Sequence, residues 1–384
     1  MNIRDWSSDV CSSDLDLLGQ VSFQESVFQG QRTDALPAGI ALLICAFNDP
    51  VAGLTRKIAP AVAAGCPVMI KPSPLGMMTA LAVMEHLEAA AARVAAGAAA
   101  ILASDDPAVI GRAMEHPGVA VVSFTGSTQV GRKVAETAGR GLSRCVLELG
   151  GNCPYVVLPD ADIDKAASDL VVRKRKAAGQ ACSAVNRVFV HRDIYASFRD
   201  KLLAGMEAVR SGPATAAEVE MGPVRTAESV RRLDVLVERG AALGERAIAT
   251  GARNADGPFL FPLTVLETEG DRRSILDHEE AFGPLLSLRP FSDFERLMRQ
   301  LLAERHALAA YIYGEDPQRL ARFCEPARFG SVGVNTTGIQ GANVPTGGFG
   351  EAGFGREGGH HGLREFLATR NLRMPADQTF RGGT

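Results

Sequence analysis

The stretch from Val119 to Gly151, VAVVSFTGSTQVGRKVAETAGRGLSRCVLELGG, decides the fold. Val119 to Phe124 is an almost unbroken run of apolar, β-prone residues, which reads as a buried strand. Thr125-Gly126-Ser127 is a tight turn, a helix follows near Gln129 to Ala138, and Cys145 to Leu149 is a second apolar run. Strands without polar alternation, separated by a helix, belong to a parallel sheet covered on both faces. Gly150-Gly151 then breaks the register and marks a domain boundary.

The same unit recurs on either side. Upstream, Ile40 to Phe47 reads as a strand ending at Asn48-Asp49-Pro50, followed by a helix from about Val51 to Ala64 that Gly65 stops. A short strand, Val68 to Lys71, is broken by Pro72 and Pro74. The alanine-rich stretch from Leu87 to Ala103, interrupted by Glu88 and Arg93, reads as an ordinary helix and not as a bilayer span. Downstream, a strand Tyr155 to Leu158 leads into a helix begun by Asp160 or Asp162. Ile163, Ala166, Ala167, Leu170 and Val171 give that helix one apolar face.

A chain of 384 residues, 46% hydrophobic, is large enough for two cores. A formal net charge of −3 offers no field to gather nucleic acid or anionic lipid, so neither partner is implied. Seven cysteines (Cys11, Cys45, Cys66, Cys145, Cys153, Cys182, Cys324), without metal-ligand spacing, suit free thiols in a cytoplasmic setting and no metal site. Met1 to Leu15 is polar, repeats Ser-Ser-Asp, and reads as a non-native leader. The segment near Gln31 to Leu36 and the tail Ala368 to Met374 read as edge strands that pair with another subunit.

Several residues have chemistry to offer. Cys182, in Ala-Gly-Gln-Ala-Cys-Ser just after a helix, lies in a glycine-containing turn that can expose a thiol and aim backbone N–H groups at it. A lone cysteine is more often a small core residue. Glu148 ends an apolar strand, where a carboxylate is costly unless the strand end lines a cleft; a surface glutamate is the plain alternative. The Asn48 amide at a strand's carboxyl end can donate to an oxyanion, although a turn residue is its simpler reading. The Gly126-Ser127 turn before a helix offers N–H groups to a phosphate, but the GxGxxG fingerprint is absent. Lys71 places a cation after a strand, where an exposed lysine is commoner. Arg173-Lys174-Arg175-Lys176 reads as a solvated helix end opposite the helix dipole, and His360-His361 as structural.

In order along the chain these pieces resemble the aldehyde dehydrogenase superfamily, from about Val21 to the C-terminus. The resemblance rests on Ala46-Phe47-Asn48, Lys71-Pro72-Ser73, Phe124 to Gly131, Leu147 to Gly151, Gly179 to Cys182, Glu279 to Pro284, and Gly353 to Gly359. It implies two α/β domains: a Rossmann-like cofactor domain over 16–149, N-terminally incomplete, and a catalytic domain over 150–350. A C-terminal segment, 351–384, would carry a small oligomerisation β-extension of a homo-oligomer, a dimer or tetramer.

It implies that Cys182 attacks an aldehyde, that Asn48 and the Cys182 N–H hold the oxyanion, and that Glu148 activates water on the thioester. Phe47, Lys71, Ser73, Pro74, Gly126, Ser127, Leu149, Glu280 and Phe282 would line the site of NAD or NADP. Pro74 stands where NAD-preferring members often carry an acid, so a 2′-phosphate is not repelled and NADP is admissible. Within the superfamily, Leu54 to Lys57, Ala64 to Pro67 and Val332 to Asn335 resemble the succinate-semialdehyde dehydrogenases. Arg56 would clamp the carboxylate of a semialdehyde, with Lys176 where that group has a second arginine.

The sequence departs from the pattern at Arg175 and Ala177, which replace an aromatic and an asparagine, at Ala352, which replaces a serine, and at Gln340 and Gly341. The alternative these departures leave open is an impaired or truncated homologue that keeps the fold without turnover.

Overall fold

The computed structural model describes residues 31–91, 99–250, 259–270, 272–373 and 375; the leader expected at Met1 to Leu15 and the end of the tail at Met374 lie outside them. Two compact units emerge. One comprises the described residues up to Glu148 with Gln340–Gly347 and those from Gly353 on; the other comprises Leu149–Ile339 and Gly348–Ala352. The chain therefore returns to the first unit after Ile339, where the sequence reading kept one domain running to 350 and a separate C-terminal segment.

The first unit holds a six-stranded sheet among the described residues, in the order Gly353–Phe354, Arg144–Glu148, Val119–Thr125, Ile40–Ile44, Val68–Lys71, Ala99–Ile101. All neighbours are parallel except the first pair, in which Gly353 lies opposite Glu148. The parallel register aligns Ile44 with Lys71 and with Phe124, and Thr125 with Glu148, so the carboxyl ends of four strands share one edge. Leu54, Ile58 and Ala61 of the helix Ala52–Ala63 are buried in one cluster with Ala41, Leu43, Ile70, Val121 and Val146. Each leucine, isoleucine or valine among them contributes roughly 1.5–3 kcal/mol on burial. Gly65 ends the helix with φ 83, and a Cβ there would lie 2.9 Å from Pro37.

Two expectations need correction in this unit. The first strand stops at Ile44, three residues before Phe47, because the chain turns through Asn48-Asp49-Pro50. The alanine-rich stretch is not one helix: the helix spans Met77–Ala91, whereas Ala99–Ile101 is a strand beside Val68–Lys71. Alanine tolerates a sheet edge when backbone pairing is on offer, and tertiary context overrides its helical preference.

The second unit carries a seven-stranded sheet among the described residues, in the order Ser331–Val334, Ala309–Tyr313, Cys153–Val157, Val185–His191, Leu285–Phe291, Leu263–Glu267, Arg246–Thr250, parallel except for the last strand. Asp162 caps the helix Ile163–Arg175, its side chain accepting from the Lys165 N–H. Ala166, Ala167, Leu170 and Val171 are buried against Val185, Val188 and Phe198.

The tail strand Leu367–Arg373 pairs antiparallel with Gln31–Pro37 of the same chain. The two segments expected to reach for another subunit thus satisfy one edge of each other. Among the described residues no helix is long and apolar enough to cross a membrane.

Candidate active site

In the first unit the shared strand edge assembles a buried acid–base cluster. Glu148, the last residue of its strand, is 4% exposed, and its Oε1 has no hydrogen-bond partner. Burial, and then the negative charge of Glu357, push its carboxyl up to about 8, against the pull of Lys57, Arg56 and Arg356. Such a group accepts a proton near neutrality where an ordinary carboxylate would not. Its main chain is fixed: the Glu148 carbonyl accepts from the Gly126 N–H at 3.0 Å.

Lys57 lies on the apolar face of the helix Ala52–Ala63, one turn from Leu54, and is 1% exposed. Its ammonium donates to Ser123 Oγ at 2.7 Å and to Glu357 Oε1. Glu357 is itself 5% exposed and held by a reciprocal pair of backbone hydrogen bonds with Thr346. Sequence reasoning assigned no role to Lys57 or Glu357. The available signal was a lysine at a position where helical periodicity demands an apolar residue, since a buried ammonium requires a buried anion.

Beside this cluster, Lys71 is buried, contrary to the exposed lysine that is commoner before a turn; its ammonium donates to Pro72 O at 3.0 Å and to the exposed Asp105 at 2.8 Å. Ser73 and Pro74 lead into the short helical turn Pro74–Gly76, with Pro74 exposed. Gly126 lies on the Phe124 ring, 2.4 Å from where a Cβ would stand, so only glycine fits. Ser127 caps the helix Thr128–Arg140, its hydroxyl accepting from the Val130 N–H at 3.4 Å. Phe47, Asn48 and Arg56 are half-buried.

In the second unit the chain leaves the helix Ile163–Arg175 through Ala177 (φ 51, ψ 29), Ala178 (φ 51, ψ 39) and Gly179 (φ 69), three successive left-handed residues. This explains the asparagine that the family carries at 177, since asparagine tolerates that region better than alanine. A Cβ on Gly179 would lie 2.2 Å from Gly283 O, so the turn is pressed against the 279–284 segment. Gln180 fastens it, donating to Ala177 O at 3.0 Å and accepting from the Arg225 N–H at 3.0 Å. Cys182 follows, half-buried, whereas Cys45, Cys66 and Cys153 are buried. Burial pushes the thiols of Cys45 and Cys153 up to about 12, which makes them inert core residues.

Glu280 carries a buried Oε1 without a hydrogen-bond partner, and burial pushes its carboxyl up to about 7. Arg232 donates to Glu280 O at 2.9 Å, to Ala281 O, and to Phe282 O at 3.4 Å, holding a segment in which Phe282 itself has φ 42. Leu149 is buried, its N–H donating to Ala352 O at 3.1 Å.

The basic run at 173–176 does not behave as a solvated helix end. Arg173 turns inward to Ser183, Lys174 is 1% exposed, and Arg175 pairs with Glu220; Lys176 alone of the four is exposed. The Lys174 ammonium donates to Val185 O at 2.8 Å and Asn186 Oδ1 at 3.2 Å, and burial pushes its pKa down to about 7. Charge clustering in sequence was misleading because consecutive residues of a helix point in different directions, and the helix ends at Arg175, before Lys176. Among the described residues no group of three or more His, Cys, Asp or Glu side chains is placed to hold a metal ion.

A model of the aldehyde dehydrogenase family matches residues 16–372. The chain belongs to the aldehyde dehydrogenase family. It is 36% identical over 331 residues to 3-sulfolactaldehyde dehydrogenase of Pseudomonas putida, covering 86% of this chain and 68% of that protein. It is 34% identical over 337 residues to the NADP(+) succinate-semialdehyde dehydrogenase GabD of Escherichia coli K12, covering 88% and 69%. The crystal structure of succinate-semialdehyde dehydrogenase from Burkholderia pseudomallei superimposes with a TM-score of 0.90 at 32% identity, covering 97% of this chain and 77% of that one. Aldehyde dehydrogenases are oxidoreductases, and the two-domain α/β architecture expected from the sequence is the one this family has.

Proposed function

We propose that this aldehyde dehydrogenase oxidises a carboxylate-bearing semialdehyde, such as succinate semialdehyde, to the acid with NAD+ or NADP+, using Cys182 and Glu148. The observation that carries the proposal is Glu148: a buried carboxyl with an unpartnered oxygen, pushed up to about 8, is in its ionised form a far stronger base than an ordinary carboxylate.

In the proposed sequence the Cys182 thiolate attacks the aldehyde carbon, a C–S bond forms, and the carbonyl electrons move to oxygen. The Asn48 amide and the Cys182 N–H hold that oxyanion. When it collapses, hydride leaves the carbon and a thioester remains on Cys182. Glu148 then takes a proton from water as its oxygen attacks the thioester, the C–S bond breaks, and the acid is released. Lys57 and Glu357, ion-paired in the same buried cluster, act on the basicity of that carboxyl through their charges, Glu357 raising it and Lys57 lowering it.

A bound nicotinamide supplies the two-electron acceptor for the hydride. The residues present fit such a group: Glu280 Oε1 is an orphaned buried acceptor suited to a ribose hydroxyl, and Lys71 is a cation whose exposed partner Asp105 can be displaced. Phe47, Ser73, Gly126, Ser127, Leu149 and Phe282 complete the proposed lining. Pro74 presents no carboxylate against a 2′-phosphate, which supports NADP+ alongside NAD+. Arg56 and Lys176 are the proposed grips on the substrate carboxylate, and the anionic aldehydes in the names of the relatives support that choice.

The test is absorbance of reduced nicotinamide with succinate semialdehyde and either cofactor. Turnover that Cys182→Ala abolishes supports the proposal; cofactor binding without turnover on any aldehyde, or full activity of Cys182→Ala, overturns it.

A further inference from the structure

The carbonyl of Ser183, the residue after Cys182, is held from two sides. Arg173 Nε donates to it at 3.2 Å while another guanidinium nitrogen of Arg173 donates to the Ser183 hydroxyl, and the Tyr311 hydroxyl donates to the same carbonyl at 2.8 Å. One carbonyl earlier in the chain, the Cys153 thiol donates to the Cys182 carbonyl at 3.5 Å, and Gly151 leaves that oxygen room: a Cβ there would lie 2.6 Å away. Three residues from three elements thus fix the two successive carbonyls, of Cys182 and Ser183, that follow the nucleophile's N–H. Of these three, Arg173 alone brings a full charge.

We infer that Arg173 is a positioning residue for the nucleophile: its guanidinium fastens Ser183, the residue after Cys182, and sets a fixed positive charge in the thiol's electrostatic neighbourhood, so that the thiolate is held ready and its orientation is restrained. The inference rests on the reading of Cys182 as the nucleophile. The physical reason is twofold. A planar fork bonded to a carbonyl and a hydroxyl of one residue restrains that residue more than one bond can. A cation in a half-buried setting favours an adjacent thiolate over the thiol. Ser183 is 3% exposed, so water does not replace these bonds if the guanidinium is removed. Tyr311 feels Arg173, Cys153 and Cys182 together, which puts these groups in one electrostatic neighbourhood.

The test is alkylation of Cys182 by iodoacetamide across pH in the full chain, without cofactor or aldehyde, followed by mass analysis of the peptide that contains it. Arg173→Met is expected to move the alkylation midpoint to higher pH and to slow modification at pH 7 by about tenfold, the effect of a one-unit rise in a thiol pKa. Arg173→Lys keeps the charge and loses the fork: its alkylation midpoint should stay near the parent's while kcat falls several-fold. Profiles for both variants that superimpose on the parent's, with unchanged kcat, overturn the inference. If Arg173→Met does not fold, Arg173→Lys decides alone: parental kcat and midpoint together overturn the inference. Failure of the nucleophile reading is a separate result, because it would show as turnover surviving in Cys182→Ala whatever the alkylation profiles do.

Discussion

Replacing Glu148 by glutamine separates what the site does for catalysis from what it does to stability. The Glu148 carboxyl is raised from 4.5 to about 8, chiefly by burial. Between those two pH values the unfolded chain has an ionised Glu148 and the folded chain a protonated one. The folded state then binds one more proton, so stability falls as pH rises through that window. At 1.36 kcal/mol per unit, the ionised group costs the folded protein about 5 kcal/mol once pH exceeds 8. Glutamine mimics the protonated acid and escapes that cost. Its amide, however, meets the same unpartnered surroundings as Oε1, which returns roughly 1–3 kcal/mol. Glu148→Gln should therefore be more stable than the parent by roughly 2–4 kcal/mol at pH 9, and close to the parent or slightly weaker at pH 5. Urea unfolding at the two pH values, followed by circular dichroism, reads the difference directly. A variant that unfolds at the same or lower urea at pH 9 would refute the claim that this carboxyl is held above its ordinary range by burial.

Glu357→Gln removes the counter-charge of a lysine that is 1% exposed, and should destabilise the protein by about 3–5 kcal/mol in urea unfolding; a double change, Lys57→Met with Glu357→Gln, should recover much of that loss. Ala177→Gly relieves a left-handed alanine that costs about 1–2 kcal/mol while adding about 0.5–1 kcal/mol of unfolded-state entropy, so the urea midpoint should rise slightly and never fall. Arg56→Ala should raise KM for succinate semialdehyde at least tenfold more than KM for a neutral aldehyde of similar length; equal changes in both would remove the semialdehyde assignment.

How much of this was legible in the sequence depends on whether the signal was periodic or spatial. Continuous apolar runs such as Val119 to Phe124 located the parallel strands because burial on both faces removes polar alternation. The extension of Val119–Thr125 by one residue and the stop of Ile40–Ile44 three residues early are set by turn geometry that composition does not encode. Glu148 stood out because a carboxylate ending an apolar strand is costly. Lys57 and Glu357 did not, because they lie 300 positions apart and each looks ordinary until the fold pairs them. The run at 173–176 shows the reverse error: adjacency in sequence suggested one basic surface, whereas the helix sends Arg173 to Ser183, Lys174 to the core and Arg175 to Glu220. The left-handed turn at 177–179 left a trace only at Gly179, since alanine gives no sign of positive φ.

The central claim is that Cys182 carries the acyl group and Glu148 removes it. Rapid mixing of Glu148→Gln with NADP+ and succinate semialdehyde tests this most directly. The account predicts a burst of one reduced nicotinamide per active site followed by little further turnover, with the acyl group recoverable on the Cys182 peptide. Steady turnover at the parental rate, with no acylated Cys182, would contradict it.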